Sequence, residues 1–270
     1  NIGTGTSGGI LVPTKPAIDS NGVWGEGGSG TGPFYSNSWE YVSPAITLGG
    51  GTTTTTNGPT YTDDGYWEFD GVDDEIDFGN EASIITSGSF TVEAWAWRDT
   101  RTAENGLFDI EDSNQGVILL SAGNNGPNGQ DYRFLVRNGT FAAGNQSNVE
   151  GNLANVGLNE WHHYVGVYDD DTGTATMFVD GVQVDTVTNA STKGYSFSGT
   201  LDGGIHIGPS AGRGRWHDGR VGEVRIYKRT LTEAQVFQNY NSNRYKYDGI
   251  AANTSPLTGP GILYDDLMLN

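Results

Sequence analysis

The sequence predicts an all-β protein built as an antiparallel two-sheet sandwich, with one helix near its C-terminal end. Three observations carry that expectation. Glycine supplies 42 of 270 residues, about twice the usual ~7%, while only 17% are charged, a balance that suits turns and strands over charged helices. From Tyr61 to about Leu231, short runs of alternating apolar and polar residues are broken by Gly, Asn and Asp turns about every ten residues. The large apolar side chains are aromatic, with 7 Trp, 13 Tyr and 10 Phe, each ring burying about 150–250 Å² when enclosed.

Residues 1–60 are rich in Gly, Thr, Ser and Pro and show no helical periodicity. They contain apolar islands such as Ile10-Leu11-Val12, Val23-Trp24 and Trp39 to Val42. Flexible linkers are depleted of such side chains, so this zone is expected to be an extended arm ordered against its own domain or against a neighbouring subunit. Ser89 to Trp97 alternates, with Phe90, Val92, Ala94 and Ala96 on one face and Thr91, Glu93, Trp95 and Trp97 on the other. Asp131 to Arg137 alternates in the same way. Glu160 to Asp169 and Thr174 to Asp180 read as a hairpin closed by Asp170-Asp171-Thr172-Gly173, and Asp180-Gly181 makes a second tight turn into Gln183 to Val187. Gly204 to Gly208 and Gly219 to Lys228 complete the strands.

The helix follows from its start signal. Thr232-Glu233-Ala234-Gln235 is a capping box, and Leu231 with Val236 stands where a hydrophobic staple would place them. After Asn243 the chain is expected to return to extended structure, and its apolar finish, Ile262-Leu263-Tyr264 and Leu267-Met268-Leu269, suits packing on the sandwich or on a partner.

The absence of Cys removes disulfide scaffolds, thiolate metal sites and a Cys nucleophile. A formal charge of −19 repels phosphate backbones and anionic lipid, so neither nucleic acid nor membrane is an expected partner. No stretch reaches the ~18 apolar residues of a membrane span, and the start at Asn1 reads as a processed or trimmed N-terminus. Charge is unevenly spread: residues 1–97 hold 13 acidic residues against Lys15, whereas residues 211–250 hold eight basic and four acidic ones. That asymmetry suits head-to-tail contacts between copies, or simple solvation of each face.

A resemblance becomes specific at Tyr66-Trp67-Glu68-Phe69-Asp70-Gly71-Val72-Asp73-Asp74-Glu75-Ile76-Asp77-Phe78-Gly79-Asn80. This segment resembles the opening strand pair of laminin-G-like, concanavalin A-like jelly rolls. Later signposts fall in the same order, through Phe90 to Trp95, Trp161-His162-His163-Tyr164, Met177 to Gly181, Ile205 to Gly208 and Asp218 to Tyr227, into Thr230 to Val236. The resemblance implies a jelly roll over 61–242, with an arm at 1–60 and a tail at 243–270. Function is less constrained, because this fold hosts lectins, adhesion modules, glycan hydrolases and virion proteins alike.

The laminarinase-type relatives carry two Glu flanking an Asp on one strand face. Here Glu75 and Asp77 share a face but Glu81 follows beyond a Gly-Asn break, which is the wrong spacing for two carboxylates about 5–5.5 Å apart across one glycosidic bond. His162 and His163, adjacent on a strand, point to opposite faces and cannot share a metal. The best ligand-facing candidates are Arg213, Arg215, Trp216 and His217, in the loop Gly212 to Asp218. There Trp216 could stack on a sugar ring while an arginine bonds hydroxyls or an acidic sugar; the same loop could instead cap a sheet edge. No cofactor is implied, with Ca2+ the one ion left open. Its densest oxygen sources are Asp109, Glu111, Asp112 and Asn114, then Asp169, Asp170 and Asp171, and Ca2+ takes about six to eight oxygens.

The expected function is therefore non-enzymatic: a structural or adhesion protein of an extracellular assembly. The finish Asn239 to Tyr245 resembles laminin-G-like domains of marine bacteriophage structural proteins, which implies a virion-surface decoration or fibre whose arms contact other copies or other subunits, with glycans as further partners. A secreted or cell-surface lectin module is the alternative, and a glycan hydrolase using Glu75 or Asp77 the third reading. Without disulfides, an exposed β protein draws its robustness from a large core or from neighbours.

Overall fold

The computed structural model describes residues 17–18, 24–25, 58–62, 64–77, 87–101, 105–112, 117–123, 130–139, 143–196, 201–208 and 216–247. Upstream, β1 (Ala17–Ile18) and β2 (Trp24–Gly25) form a two-stranded antiparallel ladder. The strands that follow are β3 (Thr60–Tyr61), β4 (Trp67–Asp70), β5 (Ile76–Asp77), β6 (Phe90–Arg98), β7 (Gly106–Asp112), β8 (Val117–Ser121) and β9 (Tyr132–Arg137). After them come β10 (Gln146–Gly151), β11 (Trp161–Asp169), β12 (Thr174–Val179), β13 (Val182–Thr188), β14 (Leu201–Ile207), β15 (Asp218–Tyr227) and the helix α1 (Glu233–Tyr247). They make two antiparallel sheets, one of seven strands ordered β13-β12-β11-β6-β15-β4-β3 and one of six ordered β10-β9-β8-β7-β14-β5. The expected sandwich is the observed one.

Alternation decides which face packs where. Phe90, Val92, Ala94 and Ala96 of β6 meet Ile118, Leu120, Phe134 and Val136 of the opposite sheet in one continuous core. Gly166 of β11 lies against the ring of Phe134, leaving no space for a side chain there. The β12–β13 turn is the predicted Asp-Gly pair, with φ of +52° at Asp180 and +78° at Gly181, the sign pattern of a type I′ hairpin.

The other face of β6 is also enclosed, by α1. The capping box forms as expected: Gln235 N–H donates to Thr232 Oγ1 at 3.3 Å and Thr232 N–H to Gln235 Oε1 at 3.0 Å. Leu231 and Val236 join Val165, Val167, Phe178 and Tyr227 in a second apolar cluster. Deeper under the helix lies a polar layer. Glu93, 2% exposed, accepts bonds from Arg225 at 2.8 Å, Tyr227 at 3.1 Å and Asn239 at 2.9 Å. Burial pushes its carboxyl up, but Arg225, His163 and Asn239 outweigh burial and hold it below the usual carboxylate range. Trp95 is sealed there too, stacked on Tyr247 with centroids 4.5 Å apart and on Tyr240 at 5.6 Å.

Several sequence expectations are corrected. The helix does not end near Asn243 but runs to Tyr247, because Tyr247, 7% exposed, packs into the sheet. Asp109 is not in a rim loop: it stands in β7 and is 1% exposed, while Asn114 lies outside the described residues. Trp161 sits half-buried on the outer face of the seven-stranded sheet.

Candidate functional site: the loop end of the sandwich and an aromatic row beside it

Three connections meet at Asp218, where β15 begins. The Asp218 amide donates to Asn105 Oδ1 at 3.0 Å, its carboxylate accepts Thr100 Oγ1 at 2.7 Å, and its carbonyl accepts the Asp99 amide at 2.9 Å. Gly71, in the β4–β5 turn with φ +72°, closes against the same side chain; a Cβ there would lie 2.7 Å from Asp218 Cβ. The β4–β5, β6–β7 and β14–β15 connections are thus held together at one end of the sandwich.

The predicted ligand loop enters this end, and the structure separates its members. Trp216 is half-buried. His217 is not a rim residue: it is 0% exposed, places Nε2 3.2 Å from the carbonyls of both Trp97 and Arg220, and packs its ring edge-on to Phe69 at 5.7 Å. Two carbonyls can only accept, so Nε2 carries the proton, and burial pushes the imidazole down to about 4. His217 is therefore a neutral anchor that fixes the end of the loop. Arg213 and Arg215 lie outside the described residues.

Beside this end runs a row that the sequence reading did not assemble. Strand register sets Trp161 of β11 opposite Trp97 of β6, Trp97 opposite Arg220 of β15, and Arg220 opposite Glu68 of β4. All four fall on the outer face, one step beyond the cover of α1, whose last residue Tyr247 touches Trp161 at 4.7 Å. The Arg220 guanidinium lies 4.8 Å from the Trp97 ring and 5.2 Å from that of Tyr66, and pairs with Glu68 at 3.3 Å. Trp161 stands edge-on to Trp97 at 6.1 Å and to Tyr66 at 5.5 Å. The Trp97 indole N–H donates to Asp99 at 2.8 Å. Trp97, Trp161, Tyr66 and Arg220 are each partly exposed, whereas Trp95, two residues before Trp97 on the same face, is 1% exposed. The signal was the alternation of β6 itself, but pairing with Arg220 and Glu68 depends on register that one strand does not reveal.

Other titratable groups have structural partners. His162 Nδ1 lies 2.8 Å from Asp180 Oδ2 and its Nε2 3.2 Å from Glu160 Oε1; burial pushes this imidazole down, but the two carboxylates outweigh it and raise it above the ordinary range. His163, facing the other way as expected, lies between Trp95 at 5.0 Å and Tyr240 at 6.1 Å, and burial pushes it down to about 4. Asp169 accepts the Asp171 amide and the Thr172 hydroxyl, and Asp170 accepts the Gly194 amide. Asp70, Asp73 and Asp74 place ligand-type oxygens within 4.8 Å of one another. Asp70 Oδ1 accepts the Val72 amide and Asp74 Oδ2 the Asp70 amide, so these two carboxylates also cap the turn that carries them. Glu75 is half-buried, Asp77 pairs with His206 in register, and Glu81 lies outside the described residues.

A family model described as the concanavalin A-like lectin/glucanases superfamily matches residues 70–237, from the last residue of β4 to the first turns of α1. The chain belongs to this superfamily. Solved jelly rolls align with it: the Ruminococcus gnavus IT-sialidase CBM40 bound to alpha2,3 sialyllactose, at 15% identity and TM-score 0.54, covers 65% of this chain and 96% of its own. The binding domain of Paraclostridial Mosquitocidal Protein 1, at 18% identity and TM-score 0.52, covers 68% of this chain and 45% of its own. These likenesses establish the superfamily's fold. No curated protein matches the chain.

Proposed function

We propose that this superfamily member is a non-enzymatic carbohydrate-binding module whose ligand meets the loop end of the sandwich, with Trp216 as the stacking residue and Arg213 and Arg215 as hydroxyl or acid partners. The observation that carries the reading is the contrast between neighbours in the chain. His217 is locked inside at 0% exposure while Trp216, one residue earlier, remains partly exposed, and a partly exposed aromatic side chain next to a buried anchor supports a role in stacking on a ligand. Binding sites commonly sit on loops held by a rigid scaffold. Membership of a lectin and glucanase superfamily supports the reading, as do a neighbour bound to sialyllactose and another that is the binding domain of a mosquitocidal protein.

We place the module outside the cell, as the adhesive part of a larger assembly of the virion-surface kind, with contacts between copies made through the terminal segments. The acidic residues 1–97 and the basic residues 211–250 support head-to-tail contact. A glycan array probed with the full chain and with Trp216→Ala tests the binding reading. Loss of at least tenfold in the variant is expected, and equal binding by both would remove Trp216 from the site. Sedimentation of the full chain tests assembly: a monomer at every concentration overturns it.

A further inference from the structure

We propose that Trp97, Trp161 and Tyr66, with Arg220 held among them, form a second carbohydrate contact, a platform on the outer face of the seven-stranded sheet that takes a neutral glycan chain lying across the strands. This rests on the glycan-binding reading but concerns different side chains.

The register builds the platform. Trp161, Trp97, Arg220 and Glu68 occupy successive strands β11, β6, β15 and β4, and at about 4.8 Å per strand the row spans about 14 Å, the reach of a short oligosaccharide. The helix stops short of it. Tyr247 closes against one side of Trp161, and beyond that contact the rings are partly open to solvent.

Chemistry narrows the ligand. The C–H face of a pyranose packs on an aromatic ring, and its hydroxyls need acceptors and donors at the ring edge. Here the edge carries exposed carboxylates, Glu68 and Asp99. The cation between the rings is already engaged: Arg220 pairs with Glu68 at 3.3 Å and lies over both Tyr66 and Trp97. An acidic sugar would meet two carboxylates and an occupied guanidinium in a chain of net charge −19, and like charges at close range disfavour it. A neutral hexose chain meets no such opposition.

The test titrates the full chain with neutral hexasaccharides (cellohexaose, laminarihexaose and mannohexaose) and with hexagalacturonate, for wild type, Trp97→Ala, Trp161→Ala and Trp216→Ala. On wild type, the Trp97 indole N–H resonance is followed, assigned with Trp97→Phe, so the result does not depend on the alanine variants folding. The expected result is a saturable shift of that resonance with at least one neutral hexasaccharide, at least tenfold weaker binding in Trp97→Ala and Trp161→Ala, and weaker binding of hexagalacturonate. If a neutral glycan binds but the resonance stays still and both row variants bind as wild type, the platform is overturned while the Trp216 site stands. Tighter binding of hexagalacturonate at the row overturns the ligand class. If wild type binds no glycan of any kind, both this proposal and the reading beneath it fall.

Discussion

The ring of Tyr247, the last residue of α1, lies over Gly222, and its hydroxyl oxygen accepts the Glu223 amide at 2.9 Å. The contact falls where the pairing of β15 with β6 slips between Val221 and Val224, so a β-bulge provides both the space for the ring and the amide for its oxygen. A Cβ on Gly222 would sit 2.5 Å from Tyr247 Cε1 and its hydroxyl oxygen. Gly222→Ala is therefore expected to lower stability by about 1–3 kcal/mol, the usual range for overpacking, measured by urea denaturation. An unchanged midpoint would mean that the helix end is not seated on the bulge.

Removing Glu93 should be more damaging. Its carboxylate is the shared acceptor for Arg225, Tyr227 and Asn239 beneath the helix, and deleting one partner of a buried ion pair costs about 3–5 kcal/mol. Glu93→Ala is expected to lose stability on that scale in chemical denaturation. A loss below about 1 kcal/mol, the level of an exposed pair, would count against the polar layer as a structural support.

Acid should weaken the fold through two histidines. His163 and His217 are pushed down to about 4 by burial, against an ordinary value near 6.5. Between those values the unfolded chain takes up protons that the folded chain refuses, so stability falls as pH drops from about 6.5 towards 4. Urea midpoints across this window should decline, and more gently in His217→Gln, whose amide can still donate towards the carbonyls of Trp97 and Arg220. Equal slopes for the two proteins would show that His217 is not buried as a neutral group.

His162 should behave in the opposite sense. Asp180 and Glu160 raise it, so its contribution is fully present below its unfolded value and is lost as pH rises through the folded one. A proton NMR titration should find His162 above about 6.5 in the native chain and lower in Asp180→Asn, a replacement that tolerates the positive φ of that turn. A titration unmoved by Asp180→Asn would remove the carboxylate as the cause.

What could be read from the sequence were features governed by local rules. The Thr232 to Gln235 capping box, the Asp180-Gly181 hairpin and the alternation of Phe90 to Trp97 each announce their own geometry, and the structure forms all three. The strands β7, β8 and β10 were not announced. Val117 to Ser121 is buried at every position and so does not alternate, Asp109, Glu111 and Asp112 made β7 resemble an ion-binding loop, and Gln146 to Gly151 is mostly polar. At the candidate site the distinction is the same. Trp216 and His217 looked alike as loop residues, because only the carbonyls of Trp97 and Arg220, brought near by tertiary pairing, decide that His217 turns inward. The row of Trp161, Trp97, Arg220 and Glu68 joins four separate segments and exists only through register.

A non-enzymatic carbohydrate-binding module holds glycans without cutting them. The most direct measurement incubates the full chain with a panel of neutral and acidic polysaccharides, and records both the protein retained on each and the chain length of the recovered polymer. The expected result is saturable retention on at least one polysaccharide, with its length unchanged. No retention on any polysaccharide, or a retained polymer that is progressively shortened, would overturn non-enzymatic glycan binding.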